Sequence, residues 1–512
     1  MGVYKWIAPL MSGFLLGSHS SGHFSPGSPR KRKRQDDFLW FFLVGDGGPG
    51  ERSACDNNMV PWTARLDLIT VRTFLRALGA VYFVAFLSLG MQAAGLIGSH
   101  GILPFAEYFQ MAHQALGAKA YWSLPSLLWL APTDAGLYAA WIAGCVAAAI
   151  VIAGLWQRAA LAVCLLLWLS LCSAGQDFLS FQWDILLCEV GFLATIADTS
   201  RVRIGLFRWL LFRLMFFSGA VKLLSRDPAW RSLDALKYHY FTQPLPTPLA
   251  WYAQQLPGWF QRFSVAMVFA VELIVPFFFF APRRFRHIAA ASTMLLQINI
   301  LLTGNYTFFN WLTIALCLWL FIEPKEPAPT RSHRAVSIAV ASLVGILSLL
   351  VCLQLFSVPL PASAETLLQT ADPLRIVNSY GLFAVMTTTR EEIVIEGSDD
   401  AVHWLPYEFR YKPGDVHRAP PIVAPLQPRL DWQMWFAALG SVQGNGWFVH
   451  LVERLIQGEP AVLRLLAKNP FPKAPPKYVR ARTYTYTFTR PGEGGWWKRQ
   501  ESGEYLPTVS MR

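Results

Sequence analysis

Apolar residues in this chain come first in long blocks and then, toward the C-terminus, in alternation with polar ones. A bilayer's hydrocarbon core is about 30 Å thick and takes about 20 residues of helix to cross. That template finds nine stretches, at residues 71–98, 136–156, 159–174, 178–197, 209–224, 263–281, 288–303, 308–322 and 335–356. Beyond residue 361 hydropathy drops and the period becomes two: Glu391-Glu392-Ile393-Val394-Ile395-Glu396 and the run from Arg482 to Thr489 read as half-buried strands. Between them, 431–439 and 446–468 read as helices, the second interrupted at Gly458-Glu459-Pro460, where proline suits a helix's first turn.

The pattern predicts a polytopic α-helical membrane protein of about nine transmembrane helices, followed by an extramembrane α+β or β-sandwich-like domain. Three segments follow: 1–58, low-complexity and disordered; 59–358, the membrane domain; and 361–512, a soluble domain. Composition agrees, since the 512 residues are 54% hydrophobic and only 15% charged, whereas soluble domains run near a quarter charged. Met1 and Met59 remain two candidate starts, because residues before Met59 offer little to pack.

The formal net charge of +12 raises a nucleic-acid partner, but the distribution of the cations argues against one. Apart from Arg30-Lys31-Arg32-Lys33-Arg34, read as a cytoplasmic anchor rather than a nuclear signal, they sit in short clusters between apolar blocks. With the N-terminus in the cytoplasm, the inside loops carry Arg158; Arg201, Arg203 and Arg208; Arg283, Arg284 and Arg286; and Lys325, Arg331 and Arg334. This satisfies the positive-inside rule. Nine spans then deliver the C-terminal domain to the far side, the endoplasmic reticulum lumen of a eukaryote or the periplasm of a bacterium. Six of the seven cysteines lie inside apolar blocks and Cys55 stands alone, so neither a disulfide framework nor zinc spacing is present.

Ionisable groups within spans are costly and usually face a protein interior. Asp184 and Glu189 lie in the fourth span, Arg213 and Lys222 in the fifth, Glu272 in the sixth. Five residues turn a helix by about 500°, or ~140° net, so Asp184 and Glu189 do not share a face. We expect them to bond to neighbouring helices or to Arg213 and Lys222 rather than to form an acid/base pair. Lys222 reads as a residue snorkelling to the interface, with a desolvated base as the alternative. The loop after the fifth span, with Trp230, His239 and Tyr240 among prolines, suits a headgroup-level platform that lies on lipid or receives a client chain. Asn305-Tyr306-Thr307 matches the glycosylation acceptor pattern, but is wedged between spans and is expected to stay unmodified. P-loop, dinucleotide, nucleophile-elbow and HExxH motifs are absent. No catalytic, cofactor-binding or metal-binding residues are assigned.

The chain resembles the lipase maturation factor family of polytopic membrane proteins from about Trp62 to Phe488. The resemblance rests on GLIGSHGILP from Gly95, SFQWDILLCEVGFLA from Ser180, DPAWRSLDALKYHYFTQPLP from Asp227 and NYTFFNW from Asn305. In the polar region it continues in NSYGLF from Asn378, EFRYKPG from Glu408 and PRLDWQMWF from Pro428. It implies help with the folding and assembly of secreted lipases at the lumenal face, with no cofactor. Trp432, Trp435, Phe436, Trp447 and Phe448 are the candidate client contacts, and the domain's own core is their alternative role. A weaker likeness of the membrane core to vitamin K-dependent carboxylases keeps open an integral-membrane enzyme acting on a lipid or quinone-like substrate through Lys222, Asp184 or Glu189.

Overall fold

The computed structural model describes residues 62–197, 199–324 and 331–510. The expectations for residues 1–58 and for the start lie outside the described residues. The chain opens with α1 (Trp62–Gly90) and the short α2 (Ala93–Ile97). An excursion follows through α3 (Phe105–Leu116), α4 (Ala120–Ser123) and a 3-10 turn at Leu127–Leu130. Thr133 then starts α5 (Asp134–Ala153) by accepting a hydrogen bond from the Gly136 amide. That helix stops at Gly154, whose φ of +85° only glycine adopts freely. Next come α6 (Gln157–Ala174), α7 (Gln182–Thr195) and α8 (Arg201–Leu224).

Three short helices form the following loop: α9 (Pro228–Arg231), α10 (Ala235–Thr242) and α11 (Pro248–Gln254). The membrane segment resumes with α12 (Gly258–Phe269), which continues through a π-turn at Ala270–Ile274 and a 3-10 stretch to Phe280. It closes with α13 (Arg283–Thr303), α14 (Phe309–Cys317) and α15 (Arg331–Leu355).

Among the described residues seven helices are long and apolar enough to cross a membrane. The two other expected spans are the shorter α7, of 14 residues, and α14, of 9 residues with one further 3-10 turn. A lipid-exposed helix must run the full apolar thickness, because its backbone polar groups have no outside partners. Both short helices are largely buried among their neighbours, so protein contacts replace the missing turns.

Ring and ion contacts sort the helix ends into two poles. At one, Phe207 of α8 stacks on Trp319, after α14, at 4.0 Å, and Phe74 of α1 meets both edge-on at 5.2 Å. Arg208 donates to the Ile322 carbonyl (2.6 Å), Arg286 of α13 to that of Leu320 (2.6 Å), and Arg203 to Ser337 of α15 (3.2 Å). The arginine-rich ends therefore gather on one side. The C-terminal region packs against the opposite pole, where α1 and α8 end and α7 begins.

In that region α16 (Ala362–Ala371) leads to β1 (Arg390–Ser398), β2 (Leu405–Pro406) and β3 (Glu408–Phe409). Then come α17 (Arg429–Ala438), α18 (Gly446–Gln457), α19 (Pro460–Leu463), β4 (Leu466–Lys468), β5 (Tyr478–Phe488) and β6 (Trp497–Ser510). The antiparallel sheet has the order β2-β1-β5-β6, and β3 pairs with β4. The region read as helix to residue 468 thus ends as a strand, its backbone drawn into pairing with Glu408 and Phe409. One apolar core runs without a break from Val71 to Leu506, through both bundle and sheet.

Candidate functional site

The polar residues flagged in the spans converge on the seam between the bundle and the C-terminal region. Asp184 opens α7 and Arg429 opens α17, and they meet in a two-pronged pair: Nη2 to Oδ1 at 2.8 Å and Nη1 to Oδ2 at 2.9 Å. The side chains are 0% and 1% exposed. Arg429 also donates to the Phe178 carbonyl (2.6 Å) and lies 5.8 Å over the Trp168 ring, whose indole N–H reaches the Asp184 carbonyl. Beside it, the last turn of α1 and the link to α2 hold the incoming backbone: Ser88 accepts from the Gln427 amide (2.8 Å) and Gln92 from that of Arg429 (2.9 Å). The expectation that Asp184 pairs within the membrane domain is corrected, since its partner comes from 245 residues downstream.

Glu189 does pair with Arg213, as expected, and both are fully buried. Its second oxygen accepts from the Asn378 amide N–H and side chain (3.0 Å each) and from the Tyr380 hydroxyl (2.7 Å). Arg213 in turn donates to the Asn378 carbonyl (3.0 Å). One intramembrane carboxylate thereby holds the connection into the C-terminal region.

Lys222 does not snorkel. Its ammonium is buried, bonded to both Glu272 oxygens (2.7 and 3.0 Å) and to the Ser218 carbonyl (2.9 Å), 5.3 Å over the Trp230 ring. Glu272 sits in the π-turn, and Gly219 opposite leaves room for it: a Cβ there would lie 2.9 Å from that of Glu272. A buried charge is tolerated only with such a partner, which is why the ammonium stays inside.

In the loop, Trp230 is buried and its indole N–H donates to the Phe383 carbonyl (2.8 Å). His239 lies 3.2 Å from the Tyr306 hydroxyl, which donates to Gln243 (2.9 Å). Burial, with Lys222 nearby, pushes the His239 imidazole down to about 4, so it is neutral near pH 7. Tyr240 is half-buried. These residues are parts of the seam rather than an open platform.

The five candidate client contacts are enclosed. Trp432 meets Trp183 edge-on at 4.8 Å and Tyr306 at 5.9 Å, and Phe436, half-buried, lies 5.9 Å from Phe181. Trp435 donates to the Thr242 carbonyl (2.7 Å), Trp447 packs on Phe178 (5.8 Å) and Phe448 on Tyr505 (5.0 Å). Four of the five bind the C-terminal region to the bundle or its loops, while Phe448 packs within that region. Of the two roles set out for these aromatics, client contact and packing inside the protein, the structure shows the second and extends it to the bundle, since packing large rings against protein takes their apolar area out of water.

Besides Arg429, Asn378 and Tyr380, two more seam residues were not flagged in the sequence reading. Arg390 donates to the carbonyls of Phe241 (2.9 Å), Gln243 and Pro244 (2.8 Å), closing the end of α10, while Glu392 bonds its Nε (2.8 Å) and Lys412 (2.8 Å). Burial lowers the guanidinium's pKa, and Glu392 opposes that shift. Asn305 accepts from the Val423 (2.7 Å) and Ala424 (3.0 Å) amides and donates to the Pro421 carbonyl (2.8 Å). The buried Arg390 offered no span-like signal. Asn305 was noticed only as an acceptor pattern and as the start of NYTFFNW.

Chemically, Asp184, Glu189, Lys222 and Glu272 are committed to closed pairs. Among the described residues no three His, Cys, Asp or Glu side chains converge as metal ligands would. The outer surface of the C-terminal region does carry an open groove of about 380 Å³ between α18 and β6, floored by Val452, Ile456, Leu506 and Val509.

This arrangement defines a class: a multi-pass helical membrane protein whose extramembrane region is fused to one pole of the bundle by buried ion pairs and aromatic packing. Residues 69–325 match the model of the lipase maturation factor transmembrane domain, and residues 376–507 that of the lipase maturation factor C-terminal domain. Human lipase maturation factor 2 is 38% identical over 86% of this chain and 82% of its own length. The chicken lipase maturation factor 2 is 37% identical, covering 86% and 81%, and bovine lipase maturation factor 1 is 35% identical, covering 88% and 90%. The chain belongs to the lipase maturation factor family. No solved structure matches it, and nothing in the comparisons favours a carboxylase.

Proposed function

We propose that this chain assists the folding and assembly of secreted lipases on the non-cytoplasmic side of its membrane: the lumen of the endoplasmic reticulum in a eukaryotic cell, the periplasm in a bacterial one. The observation that carries the reading is the placement of the C-terminal region on the pole opposite the arginine-rich helix ends. Clustered cations mark the cytoplasmic face, so the C-terminal region, with the membrane domain at 59–358 and the soluble one at 361–512, faces exported chains. The relatives bear the name of lipase maturation factors, and lipases are the clients we assign by that kinship.

The function is non-enzymatic in this reading: the ion pairs are scaffolding that fixes a client-facing surface at the membrane. The client meets the outward face of the C-terminal region, the five candidate aromatics being occupied. Removing the chain from cells that secrete a lipase should reduce lipase activity at unchanged lipase synthesis, with restoration on re-expression. Unchanged specific activity in the cells without it would overturn the proposal. A tag fused after Arg512 that a cytosolic probe reaches in unbroken cells would overturn the orientation.

A further inference from the structure

We propose that the excursion between α2 and α5 is a membrane-embedded foot: it sits within the leaflet on the C-terminal region's side and contacts lipid without crossing. The inference goes beyond the folding role and rests only on the multi-pass membrane reading. Its carrying observation is how the segment is held. Ser126 donates to the Ser170 carbonyl (3.0 Å), the Leu127 amide donates to the Ser170 hydroxyl (2.9 Å), and Ser173 donates to the Pro125 carbonyl (3.0 Å). Ser170 and Ser173 belong to α6, a helix that crosses the membrane. Ser170 lies four residues before its end at Ala174, about 6 Å inward at 1.5 Å per residue.

Irregular backbone at that depth survives only where its polar groups find protein partners, and two serines on an apolar helix supply them. The Trp129 indole N–H, too, has a protein partner, the Leu124 carbonyl of the same segment (2.8 Å).

The outward side of the same segment carries large apolar side chains from Tyr121 to Leu130, while the exposed polar residues Glu107, Gln110, Gln114 and Lys119 lie earlier in it. Leu130 is 86% exposed, and Met111, Tyr121, Trp122 and Leu127 are about half exposed. The surface continues the lipid-facing side of α6, where Leu166 is also exposed. Across the foot, Trp122 donates to the Thr370 carbonyl at the end of α16 (3.1 Å), so the foot also braces the link from α15 into the C-terminal region. Between Ser99 and Ala131 the chain holds one acidic and one basic residue besides two histidines, Glu107 and Lys119. Insertion is therefore driven by apolar area and aromatic rings rather than by attraction to anionic headgroups.

The test places a nitroxide at Leu130→Cys, and separately at Leu127→Cys, in the full chain with its native cysteines replaced, reconstituted in nanodiscs. Collision with oxygen, which enriches in lipid, is compared with collision with a water-soluble nickel chelate. Position 130 should favour oxygen, as a label at Leu166→Cys should, and unlike one at Val402→Cys on the C-terminal region. The preference should be the same in phosphatidylcholine discs and in discs with added phosphatidylserine. Nickel access at 130 matching that at 402 overturns the proposal. So does an oxygen preference that needs phosphatidylserine, or a spin–spin broadening removed by unlabelled chain, which would assign the surface to a second copy. Should the cysteine-free background not fold, a photo-crosslinking amino acid at position 130 of the unaltered chain decides the matter: adducts with lipid support the foot, and their absence, with only protein adducts, refutes it.

Discussion

Replacing Arg429 by methionine removes one half of a pair that no water reaches, since both side chains are at most 1% exposed. Asp184 is then left as a buried carboxylate without its cation, and breaking such a pair from one side costs about 3–5 kcal/mol. Asp184→Leu strands the guanidinium instead and belongs in the same range, although the Phe178 carbonyl and the Trp168 ring keep partial hold of it. The double replacement Asp184→Leu with Arg429→Met removes both charges, and buried pairs exchanged for apolar residues are often neutral in stability. The double variant should therefore unfold close to the parent and well above either single variant. The assay is the apparent unfolding midpoint of the full chain in nanodiscs at one fixed scan rate, because large membrane proteins unfold irreversibly and only like scans compare. Tryptic cleavage within 376–507 gives a second readout, since loosening the seam exposes that region first. A double variant that loses the sum of the two single losses refutes the reasoning, as does a single Arg429→Met variant with the parent's midpoint.

Asn305, with both side-chain atoms bonded and 2% exposure, should carry no glycan when the chain is made in mammalian cells, and glycosidase treatment should leave its gel mobility unchanged. Lys222→Met should destabilise by about 3–5 kcal/mol, and adding Glu272→Gln should recover most of it, a coupling that a double-mutant cycle of unfolding midpoints measures. Gly144→Ala should destabilise by about 1–3 kcal/mol, read as a lower midpoint, because its new methyl would sit 2.4 Å from the Phe86 ring where α1 and α5 cross. His239 binds its proton more weakly folded than unfolded, so its contribution to stability should be lost as pH drops from about 6.5 to 4, by up to roughly 3 kcal/mol. His239→Gln should flatten that slope in unfolding scans across the window, and an unchanged slope would remove His239 as its cause.

The spans were readable from sequence because lipid imposes a length and a polarity on every helix that touches it. α7 and α14 escaped that rule by being enclosed, and so were read as longer than they are. Strands β1 and β5 and helices α17 and α18 were visible in their periods, while β4 was not, because three residues pair only through a partner nearly sixty positions earlier. Of the candidate site, Glu189–Arg213 was legible, since the two neighbouring spans α7 and α8 bring an acid and a base together. Asp184–Arg429 was hidden, since nothing in the local pattern says which distant cation a buried carboxylate meets.

Hydropathy and charge spacing alone thus determine that this chain crosses a membrane repeatedly, and they determine which ends of its helices gather the arginines. Only the tertiary structure decides that its ionisable groups are fasteners and its aromatic stripe an internal adhesive. The reason is physical: transfer of apolar surface out of water is nearly a sum over residues and can be read along a line, whereas the fate of a buried charge depends on one partner at about 3 Å, which folding alone supplies.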